Sequence, residues 1–417
     1  MKIAIATAVY YPMINGVAVF AHNLAVGLTA RGNDVMVLCP SQTGKSYTRM
    51  VDGVKTVYLK SVQARIYPDQ IHDVPPKKKI LGREWPRLFY KHSFRISVFP
   101  QKEIKKALSD FRPDVVHVQV SDPIGLSVVS YARKHKIPVV TTEHNQPEVI
   151  TDPLGVPNFI KKPADVLLTA YLLNRQSKSD YVTMPTELAI RKFLGKKELG
   201  IPIEAVSNGV DLSCFRPGRA KEVIYKKYNI PIGRPTVLYV GRVDPEKSVG
   251  LVVEAFLSVL KEVPDAIFVV VGDGVDRLKL EKIVKNAGAS DSVRFLGRVV
   301  PPDLYELYKL GDVFATASPI ETQGIVLIEA AAAGLPLVAV RAGAVAEVCI
   351  NNENGFLVEP GNIKAISDAI VTILKNDEMR SRFSQSSIKI AHEHDFDKTL
   401  DKFTRIYKHV IDKKSAA

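Results

Sequence analysis

Residues 318–340 read SPIETQGIVLIEAAAAGLPLVAV. The apolar run GIVLIEAAAAG predicts a helix, and two carboxylates, Glu321 and Glu329, flank its start. Thr322 stands where it can cap that helix. The first-turn amides of Gln323, Gly324 and Ile325 then have no intrahelical partner, so a diphosphate can accept hydrogen bonds from them in the favourable field of the helix dipole. Gly324 lets a phosphate approach the main chain. Glu321, just ahead of the helix, is placed to accept from sugar hydroxyls, and Glu329, about two turns in, from a ribose diol. The helix stops at Gly334, and Leu335 and Pro336 lead into the apolar strand LVAV. Two glutamates at this spacing on an arbitrary helix are usually solvated acids, so the surrounding pattern decides.

That pattern is an alternation of strand-like and helical runs, as in parallel sheets covered by helices. KIAIATAV, DVMVLC, VVHVQV, PVVTTEH, YVTMP and EAVSN read as strands of an N-terminal doubly wound domain. TVLYVG, AIFVVVG, VRFLG, VFATAS, LPLVAV and FLVEP read as strands of a second. Turn formers concentrate between them, at Asp211, Pro217, Gly218, Pro231, Gly233 and Pro235. The expected domains are 1–212 and 213–395. In such sheets the ligand crevice lies beyond the carboxyl ends of the strands, so two Rossmann-like domains facing each other are expected to share an interdomain cleft.

Length and composition fit. A chain of 417 residues that is 46% hydrophobic can bury two cores. Three widely spaced cysteines, Cys39, Cys214 and Cys349, suggest neither a disulfide framework nor a zinc site, which points to a reducing, cytoplasmic setting. The start MKIAIATAVYYP is too short an apolar run for a signal peptide, and no window approaches a membrane span. The net charge of +13 is lopsided, +12 on residues 1–217 and +1 on the remainder. Within the first part, residues 77–106 carry ten basic and two acidic residues, interleaved with Leu81, Trp85, Leu88, Phe89, Phe94 and Phe99. Aromatics among cations suit an anionic lipid surface; nucleic acid and a solvated basic helix with an apolar inner side are the alternatives.

Four more stretches join the first: PMINGVAVFAHNLAVGLTARGNDVMVLCP at 12–40, SNGVDLSCFRP at 207–217, GRVDPEKSVGLVVEAF at 241–256 and NGFLVEPGN at 354–362. Together they resemble, in order, the retaining GT-B glycosyltransferases of the Glu-seven-residues-Glu type, glycosyltransferase family 4. The resemblance implies a hexose moved with retention from a UDP-glucose or GDP-mannose type donor, the nucleotide sugar serving as substrate and no metal or other cofactor being obligatory. It also implies that a last helix, 396–413, returns to the N-terminal domain.

Site residues follow from strand ends and from that resemblance together. After TVLYV come Gly241 and Arg242, then Lys247: a planar fork and a mobile point charge able to offset the charge on a departing diphosphate, and the match to the family's diphosphate clamp. Gly16 matches the second glycine of the family's Gly-Gly-Val turn, with Asn15 in place of the first. His144 ends the strand PVVTTEH where the family places a functional histidine, and Glu143, Asn145 and Glu148 are candidate acceptor contacts. His117, inside VVHVQV, reads as a core residue. Gly272, Gly274 and Gly297 end two further strands, either as loops that cradle the base, with Arg298 flanking it, or as plain turn punctuation. Gln323 stands where relatives commonly carry Phe. The catalytic set is therefore His144, Arg242, Lys247 and Glu321; the donor-binding set is Gly16, Gly241, Gly272, Gly297, Arg298, Gln323, Gly324, Ile325 and Glu329.

The segment from Glu143 to YVTMPTELAIRKFL looks most like the glycolipid-forming branch, such as diacylglycerol glucosyltransferases and phosphatidylinositol mannosyltransferases. A lipid acceptor and peripheral attachment to the inner face of the cell membrane are expected on that basis. A soluble sugar acceptor is the nearer alternative. A sugar-nucleotide epimerase would pair cleft carboxylates for proton transfer, and a dinucleotide-dependent oxidoreductase would need a Gly-x-Gly-x-x-Gly first loop that this chain lacks. A membrane- or nucleic-acid-binding protein without catalysis leaves the C-terminal motifs unexplained, and nucleic acid is the less favoured partner.

Overall fold

The computed structural model describes residues 1–11, 13, 16–63, 79–80, 83–84, 95–119, 122–144, 158–195 and 197–416. The chain divides into two compact units, Met1–Asn208 with Thr399–Ala417, and Gly209–Lys398. The second unit thus begins just ahead of the stretch rich in turn formers. That stretch folds into it: Phe215, Ala220, Ile224 and Ile230 join its core.

Among the described residues, the main sheet of unit 1 has eight strands: β1 (Lys2–Ala6), β2 (Asp34–Pro40), β3 (Tyr47–Val51), β4 (Val54–Leu59), β5 (Val115–Val118), β6 (Val139–Thr142), β7 (Tyr181–Met184) and β8 (Ile203–Ala205). They lie in the order β8-β7-β6-β5-β1-β2-β4-β3, all parallel except the β3–β4 pair. The central strands are apolar on both sides because helices cover both faces, and β1, β5 and β6 are almost wholly buried. Helix Gly16–Ala30 follows β1 and buries Phe20, Leu24 and Leu28. Helix Phe396–Ser415 buries Phe403, Ile406, Tyr407 and Val410. Its Phe403 ring lies 5.9 Å from Phe20, and Arg405 pairs with Glu204 at 2.6 Å.

Residues 77–78, 81–82 and 85–94 of the basic segment 77–106, including Leu81, Trp85, Leu88, Phe89 and Phe94, lie outside the described residues, as do Asn15, Asn145 and Glu148. Its described end is the start of helix Gln101–Phe111, whose Ile104, Leu108 and Phe111 are buried while Lys102, Lys105 and Lys106 face outward. That portion is a solvated basic helix with its apolar side in the core. Phe99, ahead of it, is 85% exposed.

Unit 2 carries β9 (Thr236–Val240), β10 (Ile267–Val271), β11 (Val293–Gly297), β12 (Val313–Ala315), β13 (Leu337–Val340) and β14 (Gly355–Val358). All pairs are parallel, in the order β11-β10-β9-β12-β13-β14. This is the doubly wound order of a Rossmann sheet. Alternate residues of each strand feed two separate cores. Leu238, Val240, Val269 and Phe314 go to one face, and Val237, Tyr239, Phe268 and Val270 to the other.

Three of these strand ends crowd together, and glycine permits it. Gly241 N donates to Val271 O at 2.9 Å and Gly272 N to Gly297 O at 2.8 Å. A Cβ on Gly272, whose φ is +139°, would stand 1.8 Å from Gly241 O. By contrast, a Cβ on Gly250, inside helix Val249–Glu262, meets only Leu280 at 3.5 Å. Gly272→Ala is therefore expected to destabilise by about 1–3 kcal/mol or more, the scale of overpacking, and Gly250→Ala to stabilise by up to about 1 kcal/mol. Thermal unfolding of the two variants checks this; equal melting points would contradict the packing.

Candidate active site

In unit 2 the winding reverses between β9 and β12, and ligands of such sheets bind beyond the carboxyl ends of the strands at that point. Two loops leave the sheet there. The first, after β9, closes with a 3₁₀ turn over Pro245–Lys247, in which Lys247 N donates to Asp244 O at 2.9 Å. The second runs from Thr316 after β12 to Gly324. Between them Lys247 Nζ lies 2.7 Å from Glu321 Oε1, with the side chains 21% and 15% exposed. The two residues are 74 apart in sequence, and the sheet's switch point brings them together.

Glu321 is braced through its backbone. Its carbonyl accepts from Ala344 N at 3.1 Å, and a Cβ on Gly343 would come within 2.3 Å of the same oxygen. Glycine at φ +51° is what lets that turn close on the glutamate. Neither Gly343 nor Ala344 was singled out by sequence pattern.

The helix after Glu321 spans Ile325–Ala332, and its N-cap is Gly324, at φ 75° and ψ 54°, with no side-chain cap bond. Thr322 is therefore not the cap. A left-handed glycine turns the chain into the helix, so the helix starts later than the threonine suggested and Gln323 lies in the loop before it, 3% exposed. Leu327 N and Ile328 N donate to Gly324 O at 2.8 and 3.4 Å. Among the described residues, the amides of Ile325 and Val326 donate to no backbone carbonyl, so Ile325 of the expected set Gln323, Gly324 and Ile325, with Val326 after it, is open to an anion.

Glu329 lies one turn into this helix rather than two. Its Oε2 accepts from the Tyr308 hydroxyl at 2.5 Å. Burial pushes its carboxyl up to about 7, and the tyrosine hydrogen bond pulls only partly the other way. Tyr308, fully buried in the helix Asp303–Tyr308, is a positioning group that the sequence reading missed.

Arg242 is held more tightly than a free phosphate grip. Its guanidinium pairs with Asp244 at 2.6 Å and with Glu246, while Tyr239 donates its hydroxyl to Arg242 O at 2.7 Å. Asp244 in turn accepts from Val275 N at 3.1 Å. The alternation of TVLYV, which puts Tyr239 on the opposite face from Leu238 and Val240, was the available signal for that tyrosine. Gly241 and Gly272 spend their amides on neighbouring strand ends, and Gly297 contributes its carbonyl to Gly272. Gly272 is a close-packing residue, and Gly274 is the same: its Cβ would meet Val243 O at 2.3 Å. Arg298 is exposed beyond β11.

In unit 1, Gly16 is the exposed first residue of its helix. His144 follows β6, is 7% exposed, and its Nε2 lies 2.7 Å from Gln119 Oε1 at the end of β5. Phe20 meets its ring edge-on at 5.2 Å. Burial pulls the imidazole down to about 4, so it is neutral at pH 7 and donates or accepts as an uncharged ring. His117 is a core residue, Nδ1 2.6 Å from Tyr407 Oη and Nε2 2.7 Å from Thr142 Oγ1. Glu143 is 1% exposed and accepts from Gln176 Nε2 at 2.8 Å, so it braces the interior instead of facing an acceptor. The three cysteines are free. No helix among the described residues is long and apolar enough to cross a membrane, and no group of three or more metal-ligating side chains is found among them.

Sequence comparison covers both units. The model described as Glycosyltransferase Family 4 matches residues 14–213, and that described as Glycosyl transferases group 1 matches residues 220–390. The alpha-monoglucosyldiacylglycerol synthase of Acholeplasma laidlawii is 28% identical over 349 residues, covering 81% of this chain and 80% of that one. The GDP-mannose-dependent alpha-mannosyltransferase of Mycobacterium tuberculosis is 25% identical over 392 residues, 93% and 92% of the two chains. The sucrose-phosphate synthase of Thermosynechococcus elongatus superposes with a TM-score of 0.72 at 17% identity, over 99% of both chains. With two Rossmann-like domains and successive matches along nearly its whole length, the chain belongs to the group 1 and family 4 glycosyltransferases and is an enzyme of GT-B architecture.

Proposed function

We propose that the protein is a retaining hexosyltransferase that takes its sugar from a UDP- or GDP-linked donor and passes it to the hydroxyl of a membrane lipid, such as diacylglycerol or a phospholipid headgroup. The observation that carries the donor half is the Lys247–Glu321 pair at the switch point, beside the two open amides of Ile325 and Val326. The lipid half is supported by the relatives named for glucosyldiacylglycerol synthesis. In the proposed reaction the bond from the sugar's anomeric carbon to the β-phosphate oxygen breaks, and the acceptor oxygen bonds to that carbon on the same face. The acceptor proton passes to the departing phosphate. Negative charge grows on the diphosphate as it leaves; Lys247 and the helix amides stabilise it, and Arg242 joins them by exchanging Glu246 for phosphate. Glu321, fixed by Lys247 and by the Gly343–Ala344 turn, accepts from the sugar hydroxyls. His144 is assigned to acceptor positioning as a neutral ring, and Arg298 to the nucleotide base.

The direct test is transfer of labelled sugar from UDP-glucose, UDP-galactose, UDP-N-acetylglucosamine and GDP-mannose to diacylglycerol or phospholipid vesicles and, separately, to soluble sugars. Turnover onto lipid is expected, and Lys247→Ala should lower it by a factor of order a hundred or more, the loss that follows removal of one preorganised charge-stabilising group. Glycosylation of soluble sugars alone would remove the lipid acceptor, and near-normal turnover in the variant would remove the lysine's role.

Glu329 gives a pH dependence of definite sign. Its carboxyl is raised from about 4.5 to about 7, so the free enzyme holds a proton there through most of the acid range. A ribose diol donates to the carboxylate, so donor binding must expel that proton. Donor affinity is expected to rise with pH by up to about tenfold per unit below 7 and then level off. Glu329→Gln should flatten this component, separating it from titration of the nucleotide itself; an unchanged profile in that variant would contradict the assignment.

A further inference from the structure

On the face of the unit 1 sheet opposite the His117–Tyr407 contact, the core that packs Val116 against Leu108 and Val128 leaves a cavity beside β5 and β6. Val118 and Thr141 are register partners on β5 and β6, and alternation along the strands turns both away from the side occupied by His117 and Thr142. They floor a cavity of about 760 Å³, bounded by the helix Pro123–Lys134 and the end of the helix Asn158–Gln176. Leu126 and Val129 give it an apolar wall. Arg133, Arg175 and Lys178 line the rest together with serine hydroxyls, and none of the described residues that line it is acidic.

These three cations lack carboxylate partners among the described residues. Arg133 Nη1 donates to Lys178 O at 3.2 Å, which ties two of them to one rim. Arg175 lies over the Tyr171 ring at 5.5 Å, and its Nε is buried with no hydrogen-bond partner. The neighbouring acids are committed elsewhere: Asp180 accepts from Val139 N at 2.9 Å and pairs with Lys414 at 3.1 Å, and Glu143 is bound to Gln176. A buried guanidinium nitrogen without an acceptor is costly and calls for an anion. A planar fork, a second guanidinium and an ammonium around one hollow match a phosphate, and the volume falls in the range of small-molecule sites, with room for an organic body against Leu126 and Val129.

We propose that this cavity binds a phosphate ester, at a site separate from the nucleotide-sugar chemistry of unit 2. Glycerol 3-phosphate is the probe. Calorimetric titration of the intact protein, run with and without saturating UDP or GDP to occupy a donor site, should show saturable binding that the nucleotide leaves in place. Arg175→Gln and Arg133→Gln should each weaken it by about tenfold or more, the scale of a lost charge-assisted hydrogen bond. Lys178→Gln, at an exposed rim position, supplies the same reading should a buried arginine prove necessary for folding. Phosphatidylglycerol vesicles that displace the probe would identify a lipid headgroup as the source. Displacement by inorganic phosphate but not by vesicles would identify a soluble phosphate ester; either supports the site. Absence of saturable binding, binding abolished by nucleotide, or affinity unchanged in Arg133→Gln and Lys178→Gln would overturn it.

Discussion

The 2.7 Å contact between Lys247 and Glu321 is the interaction on which the account of unit 2 rests. It exists because a doubly wound sheet places the ends of β9 and β12 side by side although 72 residues of chain separate Val240 from Val313. A lysine that reaches across that gap is kept from wandering by a carboxylate, and the main chain that carries the carboxylate is fixed by a bond from Ala344 N to Glu321 O. Charge stabilisation in a transferase needs groups oriented before the charge appears, because reorientation during the reaction consumes the benefit. In our reading that is what the pair and its brace supply.

Close packing of the strand ends is the second constraint, and it explains why so many glycines gather in this half. Gly272 and Gly274 let neighbouring loops approach to backbone distances that any Cβ would forbid, and Gly241 and Gly297 turn beside them at positive φ. The dense base then supports the loop bearing Arg242, whose guanidinium is itself fixed by Asp244 and Glu246. A side chain already held by two carboxylates is preorganised but not free, so the phosphate it is proposed to meet must replace one of them.

The alternation of apolar strands and helical runs was readable in the chain because parallel strands covered on both faces need near-continuous hydrophobic sequence, and TVLYV, IFVVV and LVAV supply it. The β3–β4 hairpin was missed, although Asp52–Gly53, both at positive φ, is the dipeptide that favours such a turn. The start of the helix at Ile325 was misjudged since a threonine in good capping position cannot compete with a left-handed glycine two residues on. Partners from distant elements, such as Tyr308 for Glu329 and Gln119 for His144, left no local trace. Only the packed fold brings them within reach.

Neutral, buried imidazoles dominate the centre of unit 1. His117 and His144 are both pulled down by burial, and each is fixed by a specific partner, Tyr407 or Gln119, so neither carries charge at neutral pH. In the proposed reaction the cationic work falls to Lys247 and Arg242 in unit 2. A crystal structure with bound UDP or GDP tests it most directly. The diphosphate is predicted to lie against Lys247 and the amides of Ile325 and Val326, with the ribose on Glu329. A diphosphate seated elsewhere, for instance at the start of the helix opened by Gly16, with the Lys247–Glu321 pair untouched, would contradict it.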